Sequence, residues 1–445
     1  MIRHLLMTVV GLLLGVGLLL RPVYAGEMNF SAHEFVTSRG MRVLLVESHT
    51  NPMVEVRLMV RAGSAYDPVG KEGLADVTAW LFNEGAGEKT AETFQEQLDF
   101  FGIRLQGLAA RDFFQVSLTT LTAYLDEAFK SLGLALLQPR YDADALARAV
   151  ADKRSDLIQE KEKATVQAER LLYAMLYAGH PYGHPINGTL QSLESISLED
   201  VRRFREEGFR GPDMVMAVAG DIDQQRLQEL LERHFTSMDN RPSSWPVIAP
   251  AVVAAQGQTR HLDLDVPQTA IRLGRVGINR QDPDFYALTV MDHILGGGST
   301  SRLFKQVREK KGLAYSVSSA FSPLSALGPL VFALETKNTS VTEALGLVRK
   351  EIERMAREEV EQKELTDAIQ YLTGSFPLHL DGLDKLSATW AAIGFYQRGA
   401  DYLVKWPERI RAVTREDIAR VARRFLDVER FVTITVGGKE KKTTE

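Results

Sequence analysis

Residues 53–80 read MVEVRLMV, then RAGSAYDPVGKEG, then LADVTAW, and this order decides the fold of the first half of the chain. In Met53–Val60 the apolar residues Val54, Val56, Leu58 and Val60 alternate with other side chains, the two-residue period of a strand. Gly63–Gly73, with Pro68, Gly70 and Gly73, forms a turn-rich approach. The apolar spacing then changes to that of a helix, read over Leu74–Phe82.

The same order returns downstream. Ala270–Val276 (AIRLGRV) is strand-like, Asn279–Asp284 is polar, and a helix is expected from about Phe285 to Leu295. The ends of the two stretches also match. Ser197-Leu198-Glu199-Asp200-Val201 opens a helix leading to a strand at Met214–Ala219 and Gly220. Thr414-Arg415-Glu416-Asp417-Ile418 opens one leading to Phe431–Val436 and Gly437. Each opening sets a hydroxyl residue before a Glu-Asp pair, an N-cap followed by first-turn acids.

The chain therefore reads as one unit used twice. Long helices are expected at Ala145–Ala178 and Val341–Leu372, beside several strands. Each half is α+β: a mainly antiparallel sheet with helices packed on one face. The expected organisation is an N-terminal domain at 26–238, a linker at 239–262 rich in Pro and Ser, a C-terminal domain at 263–438 and a flexible tail at 439–445.

Composition narrows the chemistry. The 445 residues include nine His and no Cys, which excludes disulfides, thiolate metal sites and cysteine nucleophiles. A net charge of −5 gives no basic field for nucleic acid. Residues 1–25 carry Arg3, an uncharged apolar run at Leu5–Leu20, the Arg21-Pro22 break and Val23-Tyr24-Ala25. This is the pattern of a signal peptide cut before Gly26, so the protein is expected to be exported, to the periplasm, with no stable membrane span after cleavage.

The stretch Arg61–Pro68 followed by Lys71-Glu72-Gly73-Leu74-Ala75 resembles the approach to the active-site helix of the insulinase/pitrilysin zinc peptidases, in the branch containing mitochondrial processing peptidase. In that family an H-x-x-E-H motif follows directly. Two His on one helix face bind zinc, and the Glu acts as general base. Here the corresponding residues are Asp76, Ala79 and Trp80, and the resemblance puts Glu160 near the third ligand position. Both His ligands and the base are replaced, so no metal and no cofactor are expected in this chain. His180 and His184 are four apart, but Pro181 and Gly183 make a shared helix face improbable. The segment through Asn187-Gly188-Thr189 resembles a structural loop of the same family. His33-Glu34 and Asp292-His293 read as surface or packing residues.

The second half keeps a different feature. Gly296–Gly298 leads through Ser301-Arg302-Leu303-Phe304 to Val307-Arg308-Glu309-Lys310-Lys311-Gly312-Leu313-Ala314-Tyr315. The glycine run reads as flexible backbone or a helix C-cap. The resemblance implies that Arg308 and Tyr315 donate hydrogen bonds to the scissile carbonyl in a zinc site. Lost zinc residues and a retained Arg/Tyr pair together imply the non-catalytic subunit of a heterodimeric zinc metalloendopeptidase. Its expected partner is a homologous subunit carrying H-x-x-E-H and the zinc, and its expected substrates are peptides. The alternative is an inactive peptide-binding or scaffolding protein of the same fold.

Overall fold

The computed structural model describes residues 31–253 and 256–438. The expected signal peptide and the tail at 439–445 lie outside the described residues. The first half contains strands β1 (His33–Val36), β2 (Arg42–Glu47) and β3 (Met53–Val60), then helices α1 (Leu74–Trp80) and α2 (Ala91–Phe100). Strands β4 (Arg104–Ala109) and β5 (Phe114–Leu121) follow, then α3 (Leu125–Leu137), α4 (Ala143–Glu160) and α5 (Ala164–Leu176). It closes with α6 (Leu190–Ser195), α7 (Leu198–Gly208), β6 (Met214–Gly220) and α8 (Gln224–His234).

The second half opens with β7 (Thr259–Asp263) and β8 (Gln268–Val276), then α9 (Phe285–Gly296), β9 (Ala314–Phe321) and β10 (Pro329–Lys337). Helices α10 (Val341–Arg357), α11 (Gln362–Ser375), α12 (Leu383–Phe395), α13 (Tyr402–Arg411) and α14 (Arg415–Phe425) precede β11 (Val432–Gly437). Strand β7 begins inside the stretch read as linker, because Thr259–Asp263 adds an edge strand beside β11.

The duplication shows in the pairing. One sheet runs β1-β2-β6-β3-β5-β4 and the other β7-β11-β8-β10-β9. Among the described strands only the β2–β6 and β7–β11 pairs are parallel. Val54, Val56, Leu58 and Val60 of β3 point into a core with Phe94, Phe129 and Leu132. Ile271 and Leu273 of β8 do the same against Met291, Val348 and Phe425.

Two expected long helices are each a pair. The first breaks between Glu160 and Ala164, where Lys161-Glu162-Lys163 offers no apolar side chain to hold a continuing face. The second breaks after Arg357, and Glu361 restarts it as an N-cap in a reciprocal box with Glu364. Breaking the first pair lets α5 leave its own half and lie across β8 and β11 of the other sheet. In exchange, α12 lies across β6, β3 and β2 of the first sheet. Both crossings are close because a glycine is there. A Cβ on Gly394 of α12 would sit 2.6 Å from Val215, and one on Gly274 of β8 would sit 2.9 Å from Leu172 of α5. Each sheet thus has helices of its own half on one face and a borrowed helix on the other.

A buried carboxylate ties the halves. Asp112 accepts hydrogen bonds from the Tyr182 hydroxyl, from the Tyr396 hydroxyl at 2.9 Å and from the Ser325 N–H at 2.9 Å. Two of these three donors belong to the second half. Among the described residues no helix is long and apolar enough to cross a membrane.

Candidate functional site

The approach segment sets the start of α1 by hydrogen bonding. Asp67 accepts from the N–H groups of Gly73 and Ala75, both at 2.8 Å, so it caps the helix from outside. Gly73 takes a φ of 98°, which a residue with a Cβ adopts at a cost. The Asn187–Thr189 loop supports the same segment. A Cβ on Gly188 would meet the Glu72 carbonyl oxygen at 2.1 Å, and the Ser192 hydroxyl donates to that oxygen at 2.7 Å. The family-like residues at 61–75 are therefore those that aim α1.

What α1 presents is not a metal site. Asp76, in its first turn, forms an ion pair with Lys153 of α4 at 2.5 Å. Burial pushes the Asp76 carboxyl up from its ordinary value, and the Lys153 ammonium offsets part of that; Asp156 and Glu160 push it up further. Ala79 is buried and offers no ligand, and Trp80 packs against the first core. Glu160 accepts from Arg170 at 2.6 Å and from the Asn187 amide at 3.2 Å. The two carboxylates that share this neighbourhood are each held by a cation of the protein. A dication there would have to displace Lys153 and Arg170, and among the described residues no third His, Asp or Glu side chain joins the two carboxylates in a group that could hold it. Zinc requires three protein ligands or more, so the residues do not fit it.

The histidine pair divides in the same way. His180 takes the Tyr182 N–H on Nδ1 at 3.1 Å, and its Nε2 meets the Ala249 carbonyl at 2.8 Å. His184 contacts the Pro185 carbonyl through Nδ1 at 3.1 Å, and burial pushes its imidazole down toward the neutral form. Between them lies the 3-10 turn Pro181–Gly183, not a helix face. Glu34 pairs with Arg42 at 2.6 Å, and Asp292 is buried under the Ser319 hydroxyl at 2.5 Å. Among the described residues, no three His, Asp or Glu side chains form a group that could hold a metal ion.

Arg308 and Tyr315 do come together. Gly297 is the C-cap of α9, its N–H bonded to His293. The chain then forms a π-helical segment at Phe304–Lys310, which carries Arg308. On β9, Ala314 pairs with Thr336 and Val317 with Leu334, so three steps on one strand face two on the other. Tyr315 and Ser316 occupy this bulge, which turns the Tyr315 ring outward with 82% of its surface exposed. The Arg308 guanidinium carbon lies 4.7 Å from the centre of the Phe304 ring and 4.8 Å from that of Tyr315. It is a cation within reach of two aromatic faces. Its N–H groups and the Tyr315 hydroxyl take part in no ion pair or side-chain hydrogen bond among the described residues. The pair presents uncommitted donors, held in place by stacking.

Three contributors were not identified from sequence: Lys153, Arg170 and Phe304. Lys153 and Glu160 are seven apart on one helix and so share a face, a usable signal. Phe304 and Arg308 are four apart, and that spacing also signals contact.

Comparison with known proteins follows this geometry. A sequence model for insulinase (peptidase family M16) matches residues 42–190, and one for the peptidase M16 inactive domain matches 195–372. The non-peptidase homolog YmxG of Helicobacter pylori is 27% identical over 378 residues, covering 84% of this chain and 86% of its own. A zinc protease of Rickettsia bellii, uncharacterized, is 24% identical over 407 residues, covering 89% and 95%. The crystal structure of a peptidase M16 inactive domain from Pseudomonas fluorescens matches with a TM-score of 0.87 and 28% identity, over 92% of this chain and 98% of that one. A protease structure from Helicobacter pylori matches with a TM-score of 0.84 at 19% identity, over 91% and 99%, a likeness of fold.

Proposed function

Since this chain belongs to the insulinase (M16) peptidase family, we propose that it is the non-catalytic subunit of an exported heterodimeric zinc metalloendopeptidase. Its partner is a homologous subunit carrying H-x-x-E-H, and its contribution is Arg308 and Tyr315. The observation that carries this reading is the stacked Arg308–Tyr315 pair with free donors, in a chain whose own Asp76 and Glu160 are neutralised by Lys153 and Arg170. A guanidinium and a phenol can both donate to the oxygen of a peptide carbonyl as negative charge develops on it. The relative called a non-peptidase homolog supports the non-catalytic part of the reading. The apolar run at Leu5–Leu20 supports export to the periplasm.

The test is affinity purification of the full chain from its own cells, followed by peptidase assay of the recovered complex. A partner bearing H-x-x-E-H and a rate that collapses in Arg308→Ala support the proposal. A chain that recovers no such partner, or a complex indifferent to Arg308→Ala, overturns it. Peptide binding by the isolated chain with no zinc-bearing partner would favour the scaffolding role instead.

A further inference from the structure

A second feature of the Phe304–Lys310 segment does not involve Arg308. Its other face, with Lys305, Gln306 and Lys310, forms one wall of a cavity of about 310 Å³ whose opposite wall is the start of α11. Five cationic side chains line it against three carboxylates. Those carboxylates are largely engaged. Glu364 holds Arg302 in a two-pronged pair at 2.8 and 2.6 Å, Asp367 holds Lys363 at 2.6 Å, and Glu361 caps α11. Lys305 and Lys310 have no ion pair among the described residues; the neighbouring Lys311 takes Glu343 instead.

Arg302 supplies the second observation. It is only 6% exposed, and its Nη1 has no hydrogen-bond partner. A buried guanidinium N–H left unpaired costs about 1–3 kcal/mol, and native proteins rarely leave one without a reason. Nη1 sits on the side of the fork that Glu364 does not occupy, on a residue that lines the cavity. An oxygen acceptor in the cavity would meet Lys305 and Lys310 directly, and the sealed Nη1 of Arg302 once the acceptor uncovers it. Charge-assisted bonds of this kind select oxyanions.

We infer that this cavity is a binding site for a polyvalent oxyanion, phosphate or clustered carboxylate, held by Arg302, Lys305 and Lys310. The site rests on this chain's own residues and stands whether or not the subunit role is correct. The group recognised presents several acceptor oxygens, because one guanidinium N–H and two ammonium groups have to be met in a cavity that the Glu361 carboxylate also lines.

The experiment is calorimetric titration of the full chain with inorganic pyrophosphate, and separately with a triglutamate peptide, in about 150 mM salt, near physiological ionic strength. Saturable one-to-one binding of either probe is expected, weakened at least tenfold in Lys305→Gln/Lys310→Gln. A charge-matched control, Lys130→Gln/Lys405→Gln, should leave it unchanged. Arg302→Lys keeps a cation for Glu364 and removes the unpaired Nη1, so it should also weaken binding; the two lysine changes are exposed and test the site even if that variant folds poorly. Pyrophosphate alone binding identifies a phosphate ligand, and triglutamate alone a carboxylate one. Binding of neither probe, or binding equal in the Lys305/Lys310 variant and the control, overturns the site.

Discussion

Asp76 of α1 and Lys153 of α4 form an ion pair of 2.5 Å in which each side chain keeps 17% of its surface exposed. Partly buried pairs of this kind contribute little net attraction once desolvation is counted, but losing one partner strands the other. Asp76→Ala should therefore destabilise the fold by about 2–3 kcal/mol. The double change Asp76→Ala/Lys153→Met should recover most of that loss. Urea unfolding of the two single variants and the double variant gives the coupling energy directly.

The same pairing predicts an indifference to metal. Lys153 and Arg170 already compensate Asp76 and Glu160, so zinc has no charge to neutralise there. Dialysis against a chelator should leave the melting temperature unchanged, and added zinc should not raise it. A ligand that binds only the native state raises stability by mass action, so a zinc-dependent rise would contradict the assignment.

The interdomain carboxylate makes a sharper stability prediction. Asp112→Ala removes the acceptor for the Tyr182 and Tyr396 hydroxyls and the Ser325 N–H at once. Leaving such buried donors unpaired should cost about 3 kcal/mol in total, whereas Tyr396→Phe should cost about 1 kcal/mol. Because two of the donors lie in the second half, Asp112→Ala should also reduce the cooperativity of unfolding, seen as transitions that differ between probes in each half.

Much of this was readable in advance and some was not. The strand at Met53–Val60 has the bounds its alternation gave, and Ser197 and Thr414 both make reciprocal caps with the Asp three residues on. These are local features, set by side-chain period and by a hydroxyl finding a nearby N–H. The break at Lys161–Lys163 was missed because a polar stretch between two apolar faces also suits a continuous exposed helix. The exchange of α5 and α12 could not be read at all. The apolar face of Ala168, Leu172 and Leu176 shows that a partner exists, and nothing in it shows which sheet. The positions of Asp76, Ala79 and Trp80 were legible, but not the cations that hold the carboxylates, since Lys153 and Arg170 reach them through tertiary packing. Likewise the resemblance implied a joint role for Arg308 and Tyr315, which their spacing alone did not, while the bulge that exposes Tyr315 depends on pairing with β10.

Asp292 sets a pH dependence. Burial pushes its carboxyl up to about 6, against the pull of the Ser319 hydroxyl and the Phe321 N–H. Its folded-state value is therefore above its unfolded one, so the folded protein holds a proton that the unfolded chain releases. Stability should fall as pH rises from about 4 to about 6, then level off above both values. Asp292→Asn should flatten this limb and lose its advantage below pH 4. Urea midpoints across pH 3–8 for the two proteins check the sign.

The last prediction concerns Phe304. The Arg308 guanidinium carbon lies 4.7 Å from the centre of its ring and 4.8 Å from that of Tyr315. Tyr315 is exposed and Phe304 half-buried, so Phe304 is the more constrained of the two rings and is expected to position Arg308. Each such contact is worth about 0.5–1 kcal/mol at an exposed site, too little to unfold the protein. Phe304→Leu should therefore leave stability within about 1 kcal/mol. It should let the guanidinium sample more orientations, visible as averaging of its Nε resonance in the isolated chain. In the proposed heterodimer the consequence should fall on kcat more than on KM, because a loosened donor is lost chiefly where charge develops. A tenfold loss with Phe304→Leu, set against about a hundredfold with Arg308→Ala, is the expected order for positioning against direct contact. Phe304→Tyr, which restores the aromatic face, should recover both the resonance and the rate. Equal losses in Leu and Tyr variants would mean that the ring serves only packing.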